Sequence, residues 1–242
     1  MEIVLFFVLF GLTLFLQRWL QQHIQGLTYA VTGNPGCAVR MLFFILLPGV
    51  ALHEASHWLV ANLIGVRTGK VSIGLGKMRG KHFSLGSVTV EKSDPLRESL
   101  IGVAPFIFGI LAVWALMGFG FGLWTPTTLE QVSEPIRSTL SDPLTWVALY
   151  FVFAVSTSMI PSESDREPWG MLIAIFAGIG ALALILGWTP NITPELIGLG
   201  QKILTTLIFV FGVIVVVNGS LALLIFLLEW GFGTVTSRRV RY

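Results

Sequence analysis

The sequence is dominated by long apolar runs, each close to the length that a helix needs to cross a lipid bilayer. About 20 predominantly apolar residues are required, and six stretches approach or exceed this length: 2–20, 41–65, 99–124, 144–160, 168–188 and 200–229. Only 12% of the residues are charged, against about 25% in soluble domains. The sequence therefore predicts an all-α polytopic membrane protein with about six transmembrane helices, folded as one domain over residues 1–242.

The charge and the cysteine count exclude several classes of protein. The formal net charge is +2, and no block of Lys and Arg typical of nucleic-acid binding is present, so we expect no nucleic-acid partner. The single cysteine, Cys37, rules out an intramolecular disulfide and a four-cysteine metal site. Glu2 stands where a signal peptide would carry basic residues, so we interpret 2–20 as a retained first helix.

The distribution of Lys and Arg predicts the orientation in the membrane. With six spans and both termini in the cytoplasm, eleven of the 15 basic residues lie on the cytoplasmic side and four on the opposite side. The positive-inside rule favours this arrangement. We expect the chain to be a multi-pass protein of the cell membrane, either a plasma or an inner membrane. The eleven are Arg67, Lys70, Lys77, Arg79, Lys81, Lys92, Arg97, Arg166, Arg238, Arg239 and Arg241.

The connection between the second and third spans has the pattern of β-strands. In 70–91, "KVSIGLGKMRGKHFSLGSVTVE", apolar residues alternate with polar residues or glycine on both sides of Gly80. Period-2 alternation around a glycine is typical of a hairpin. We predict a small β-hairpin or sheet on the cytoplasmic side. The alternative is a basic loop that binds anionic lipid next to the membrane.

The second span contains "HEASH", residues 53–57, an H-E-x-x-H motif. On a helix, residues four apart lie on the same face, so His53 and His57 can reach one metal ion. Glu54 lies about 100° around the helix from His53, where it can contact a metal-bound water without being a ligand. This pattern predicts one zinc ion per chain, with His53 and His57 as ligands and Glu54 as the catalytic base.

The membrane context strengthens the prediction of a metal. Each ionisable side chain at the centre of a membrane helix costs about 2.5–3.5 kcal/mol on insertion scales. Zinc binding, at about 10–16 kcal/mol in structural sites, exceeds that cost. The alternative is a polar cluster whose hydrogen bonds are satisfied by neighbouring helices.

Two histidines leave a catalytic zinc one protein ligand short. His23 and His82 are less well placed than the acids of "STSMIPSESDREPW", residues 156–169. We expect this segment to form a non-helical turn at membrane depth, on the same side as the histidines. Zinc chemistry alone accepts any of its three acids, Glu163, Asp165 or Glu167.

These motifs together resemble the site-2 protease family of intramembrane zinc metalloproteases. That family has H-E-x-x-H in a membrane helix, cytoplasmic strands, and a later helix ending in Asn-x-x-Pro-x-x-x-Asp-Gly. Here Pro161 and Asp165 match in spacing, whereas Ser158 stands at the Asn position and Arg166 at the Gly position. A weaker likeness is "GVAPFIFG", 102–109, to the family's Gly-Pro stretch after its strands.

The resemblance implies a fold, a reaction and a set of ligands. Residues 41–170 would form the metalloprotease core, with 1–40 and 171–242 as accessory spans. Asp165 would be the third zinc ligand, and Ser158, Pro161, Gly102 and Pro105 would support the site or bind substrate. The expected activity is hydrolysis of peptide bonds in or near transmembrane segments of other membrane proteins. The alternative is a catalytically inactive receptor or scaffold that retains the fold.

Overall fold

The computed structural model describes residues 1–74, 85–124, 141–187 and 193–236, together with two short strands. Its helices are α1 (Glu2–Thr32), α2 (Pro35–Leu63), α3 (Pro95–Phe121), α4 (Pro143–Ser158), α5 (Glu163–Arg166), α6 (Trp169–Ile185) and α7 (Pro194–Thr236). Its strands, all between α2 and α3, are β1 (Thr68–Ile73), β2 (Met78–Arg79), β3 (His82–Phe83) and β4 (Gly86–Val90).

Three of the helices begin with the same local signal, a capping side chain followed by proline. Asn34, Asp94 and Asp142 each accept hydrogen bonds from the backbone of the first turn of α2, α3 and α4, respectively. The next residue is a proline in each case, whose missing N–H is not needed at that position. These caps fix the residue at which each helix starts. They therefore fix how far along the helix its polar residues lie.

Within the part of the chain that the structure describes, five helical segments are long and apolar enough to cross a membrane: α1, α2, α3, the segment Glu163–Ile185 that includes α5 and α6, and α7. α4 is a shorter apolar helix. They lie on the stretches predicted from the apolar runs, so a predominantly helical chain with several helices of membrane-spanning length and composition is confirmed. The helices differ from the predicted spans mainly in length. For example, α1 continues to Thr32 and α7 covers Pro194–Thr236.

A small antiparallel sheet is present where the alternating pattern predicted it. β1 pairs with β4, and Val71 lies opposite Val88, with an irregularity between Thr68 and Val71. β2 pairs with β3 further along the same connection. The predicted turn at Gly80 lies outside the described residues. β1 is almost entirely exposed, so its alternation does not create a buried face.

α2 lies at the centre of the helix packing. It contacts α1, α3 and α4, and it also contacts β1 and β4. α7 packs mainly against α1, while α6 contacts α3 and has no buried residue. The H-E-x-x-H motif therefore lies on the helix that is most enclosed by other elements, between α3, α4 and the start of β4.

Candidate metal centre

Three metal-ligating side chains from two helices meet at one point. His53 and His57 come from successive turns of α2, and Asp165 comes from α5. The Nε2 atoms of the two histidines are 3.2 Å apart. Asp165 Oδ1 lies 3.5 Å from Nε2 of His57, and Asp165 Oδ2 lies 3.7 Å from Nε2 of His53. Among the described residues, this group of three could hold a metal ion.

The two imidazole rings are oriented by backbone carbonyls. Nδ1 of His53 lies 2.7 Å from the carbonyl oxygen of Ser158, and Nδ1 of His57 lies 2.9 Å from that of Ile101. A carbonyl can only accept, so each Nδ1 carries the proton and donates it. In the neutral rings, both Nε2 atoms are then left with lone pairs that face each other and the carboxylate.

This donor set fits a tetrahedral zinc ion. Zinc binds imidazole nitrogen at about 2.0–2.1 Å and carboxylate oxygen at about 2.0–2.2 Å, which places tetrahedral ligands about 3.3–3.5 Å apart. The observed separations of 3.2, 3.5 and 3.7 Å lie close to those values. If both rings are neutral, three acceptors converge with no proton donor between them, and a cation would satisfy all three. Two nitrogens and one oxygen leave a fourth position open.

Asp165 reaches the histidines because α4 ends early and a short helix follows. Pro161 cannot donate a backbone hydrogen bond, so α4 stops at Ser158. Ser162 then caps α5, and its N–H and Oγ donate to Asp165 Oδ2 at 2.7 and 2.6 Å. The predicted non-helical turn is therefore wrong in part, because residues 163–166 form one helical turn closed by a capping box.

The geometry distinguishes the three acids that the sequence left open. Asp165 is partly buried and faces the histidines, whereas Glu163 and Glu167 are exposed. His23 pairs instead with Glu229, at 2.8 Å between Nδ1 and Oε2, on helices α1 and α7. The side chain of His82 lies outside the described residues.

Glu54 is buried beside the cluster and against the sheet. Its side chain lies close to the backbone of Gly86, the first residue of β4. A Cβ atom added to Gly86 would lie 2.6 Å from Oε1 of Glu54. Glu54 is also close enough to His53 and Asp165 to interact electrostatically with both. The side chain predicted as the general base is therefore held between the predicted metal ligands and the edge of the sheet.

The four residues predicted to support the site or bind substrate lie around it. Ser158 contributes a carbonyl to His53, and Pro161 ends the helix that carries this carbonyl. Gly102 and Pro105 lie buried on α3, next to the carbonyl that binds His57. All four therefore lie next to the groups that position His53, His57 and Asp165. Their role in binding substrate stays a prediction.

The sequence did not lead us to several residues that support the His53, His57 and Asp165 cluster. Gln17 and Gln21 of α1 donate to the carbonyl of Thr157 at 2.6 and 3.2 Å, next to the carbonyl that binds His53. Two amides four residues apart in an apolar helix signal an inward-facing polar stripe. Ser162 could have been found from the Ser-x-x-Asp spacing of a capping box. The role of Gly86 has no local signal, because it depends on how the sheet packs on α2.

Replacing Gly102 with alanine is expected to weaken metal binding. A Cβ atom at this position would overlap the backbone carbonyl of Asp165, so α5 must move away from α3. Overpacking of this kind typically costs about 1–3 kcal/mol. We expect a lower melting temperature and at least a tenfold weaker affinity for zinc, measured by competition with a chromogenic chelator.

Gly120→Ala is the matched control for this variant, on the same helix. There, an added Cβ meets the Cβ of Ala148 at 3.7 Å, which is ordinary van der Waals contact. This control should keep the zinc affinity of the wild type. Unchanged zinc affinity in Gly102→Ala would show that the close approach of α3 and α5 does not position Asp165.

Comparisons with protein-family models, with curated proteins and with solved structures each found no match to this chain.

Proposed function

We propose that this chain is a membrane-embedded zinc endopeptidase similar to the site-2 protease family. The observation that carries the proposal is the meeting of His53, His57 and Asp165, with the buried Glu54 beside them. A structural metal site would have no need of an additional buried carboxylate. This arrangement supports hydrolysis of a peptide bond, with one zinc ion per chain as the cofactor.

The residues divide into metal ligands and a proton carrier. When bound, zinc would polarise the scissile carbonyl and lower the pKa of its water to about 7. His53, His57 and Asp165 would hold the ion, and the hydrogen bonds from Nδ1 of each ring keep both Nε2 atoms available. Glu54 would accept the proton of the attacking water and donate it to the leaving amine.

The proposed topology has six spans, with both termini and the sheet in the cytoplasm. It rests on the positive-inside count, on the five long apolar helical segments, and on α4 as a shorter sixth span. About 9 Å of helix separate His57 from Leu63, the last residue of α2. The site would therefore lie below the cytoplasmic surface of the bilayer, nearer to that surface than to the other.

The short length of α4 supports a site within the bilayer. Its 16 residues span about 24 Å, which is less than the hydrocarbon thickness of about 30 Å. The chain thus leaves the helical conformation at membrane depth, which is tolerated where the backbone is enclosed by protein. Here the carbonyls at the end of α4 bind Gln17, Gln21 and His53.

The substrate would be a transmembrane segment of another membrane protein. A helix hides its peptide carbonyls in internal hydrogen bonds, so the substrate must unwind locally before cleavage. Among the described residues, β1 and β4 pair with each other in a two-stranded sheet, and β4 begins beside Glu54. An unwound segment could add to this sheet as a further strand and so be presented to the site in extended form.

A second candidate function is a catalytically inactive receptor or scaffold. Its support is that Ser158 and Arg166 stand where the family has Asn and Gly. The burial of Glu54 against the metal ligands argues for the enzyme instead, because this carboxylate has no role in a scaffold.

A cleavage assay tests the proposal. The purified full chain, loaded with zinc and reconstituted in liposomes, is incubated with a set of single-span peptides, and products are identified by mass spectrometry. We expect cleavage that stops on addition of a chelator and returns on addition of zinc. Intact peptides in the presence of zinc-loaded protein would favour the scaffold.

A further inference from the structure

Pro105 lies inside α3, four residues after the carbonyl that binds His57. In a regular helix, the N–H of each residue donates to the carbonyl four residues earlier. Proline has no N–H, so Pro105 cannot bond to the carbonyl of Ile101. The structure places Nδ1 of His57 2.9 Å from that same oxygen. The donor missing from α3 is replaced by a donor from α2.

Both partners of the hydrogen bond between His57 and the Ile101 carbonyl are buried, so water cannot supply the donor that Pro105 lacks. Ile101 and Pro105 are buried on α3, and His57 is buried on α2. A buried carbonyl without a donor is unfavourable, and the imidazole supplies that donor. Only a ring protonated at Nδ1 can do so, which leaves Nε2 of neutral His57 free to face His53 and Asp165.

We propose that Pro105 is a positioning residue that fixes the tautomer and orientation of His57 by keeping the Ile101 carbonyl free. The inference rests on the proposed function in that it takes His57 as a zinc ligand. A residue with an N–H at position 105 would compete with His57 for the carbonyl. His57 could then rotate, or carry its proton on Nε2, where the proton blocks the metal.

His53 obtains its acceptor in a different way. Its partner is the carbonyl of Ser158, the last residue of α4, where helix carbonyls are free because the helix ends. Pro161 helps to end that helix. Each of the two histidines is thus oriented by a carbonyl that the surrounding helix does not use, one at a helix end and one opposite a proline.

The test compares Pro105→Ala with Pro95→Ala. Pro95 is the first residue of the same helix, where an N–H has no partner within the helix, so Pro95→Ala controls for the substitution itself. The first readout is the affinity for zinc, measured by chelator competition on the full chain. Loss of a group that orients a metal ligand typically costs 10–100-fold in affinity. We expect a loss in this range for Pro105→Ala and none for Pro95→Ala.

The second readout is the tautomer of His57 in zinc-free protein, measured by ¹⁵N NMR of labelled histidine. We expect Nδ1–H in the wild type and a shift towards Nε2–H, or mixed protonation, in Pro105→Ala. Wild-type zinc affinity together with an unchanged tautomer in Pro105→Ala would overturn the proposal. The wild-type spectrum tests the proposal even if Pro105→Ala does not fold, because a proton on Nε2 of His57 would contradict it.

Failure of this proposal can be distinguished from failure of the proposed function. A wild-type chain that binds no zinc contradicts the metal site, whereas a zinc-binding chain that is indifferent to Pro105→Ala contradicts only the positioning role. The tautomer measurement requires neither zinc nor substrate.

Discussion

Replacing Glu54 with glutamine is expected to leave zinc binding unchanged and to slow cleavage of a transmembrane peptide by about 10²–10⁴-fold. Glutamine has nearly the same shape, so it can occupy the buried space between His53 and Gly86. It has no carboxylate to accept a proton from water. Initial cleavage rates and zinc content, measured on the same preparation, check this prediction.

Glu163→Gln provides the matched control for Glu54→Gln. Glu163 is close to Asp165 in sequence but exposed, so the same chemical change should leave both zinc content and cleavage rate as in the wild type. Cleavage by Glu54→Gln at the wild-type rate would exclude Glu54 as the general base.

Replacing Asp165 with alanine is expected to remove most of the zinc. The two histidines remain, but a catalytic zinc normally has three protein ligands. Loss of a direct ligand should lower the affinity by more than the 10–100-fold that is typical of residues behind the ligands. Glu163→Ala and Glu167→Ala remove exposed acids of the same segment and should keep the affinity of the wild type, measured by chelator competition.

Asp165→Asn separates the ligand role of Asp165 from its structural role. The amide oxygen can still accept hydrogen bonds from Ser162, which caps α5, but the negative charge is lost. We expect this variant to keep the melting temperature better than Asp165→Ala does, yet to bind zinc weakly. Zinc loss in Glu163→Ala or Glu167→Ala, with retention in Asp165→Ala, would show that another acid completes the site.

The sequence predicted those features that depend on local spacing. His53 and His57 are four residues apart in a helix, so their meeting follows from helix geometry alone. The helical stretches follow from the apolar runs, and the sheet follows from the alternation in 70–91. In each case the information lies within a short segment of the chain.

The choice of acid depended on more than local spacing. Zinc chemistry accepts Glu163, Asp165 or Glu167 equally, and the resemblance alone favoured Asp165. The structure places Asp165 by the turn of α5, where the capping bond to Ser162 directs one carboxylate oxygen away from His57 and leaves the other facing it. That direction depends on a helix only four residues long, which the sequence analysis treated as an irregular turn.

The supports of the histidines could not be predicted, because they join segments that are distant in sequence. Ile101 is 44 residues from His57, and Ser158 is 105 residues from His53. Their carbonyls are free for reasons that are visible in the sequence, namely Pro105 and Pro161. However, nothing in the sequence states which side chain occupies each of them. That pairing is decided by how α2 packs against α3 and α4.

The most direct test of the central claim is cleavage in water enriched in ¹⁸O. The zinc-loaded wild-type chain is incubated in liposomes with a single-span peptide, and each product is sequenced by mass spectrometry. The proposed hydrolysis adds one ¹⁸O atom to the new carboxyl terminus, at a bond within or near the apolar segment, and Glu54→Gln slows formation of this product by about 10²–10⁴-fold. A peptide that stays intact while the wild type holds one zinc per chain would contradict the claim.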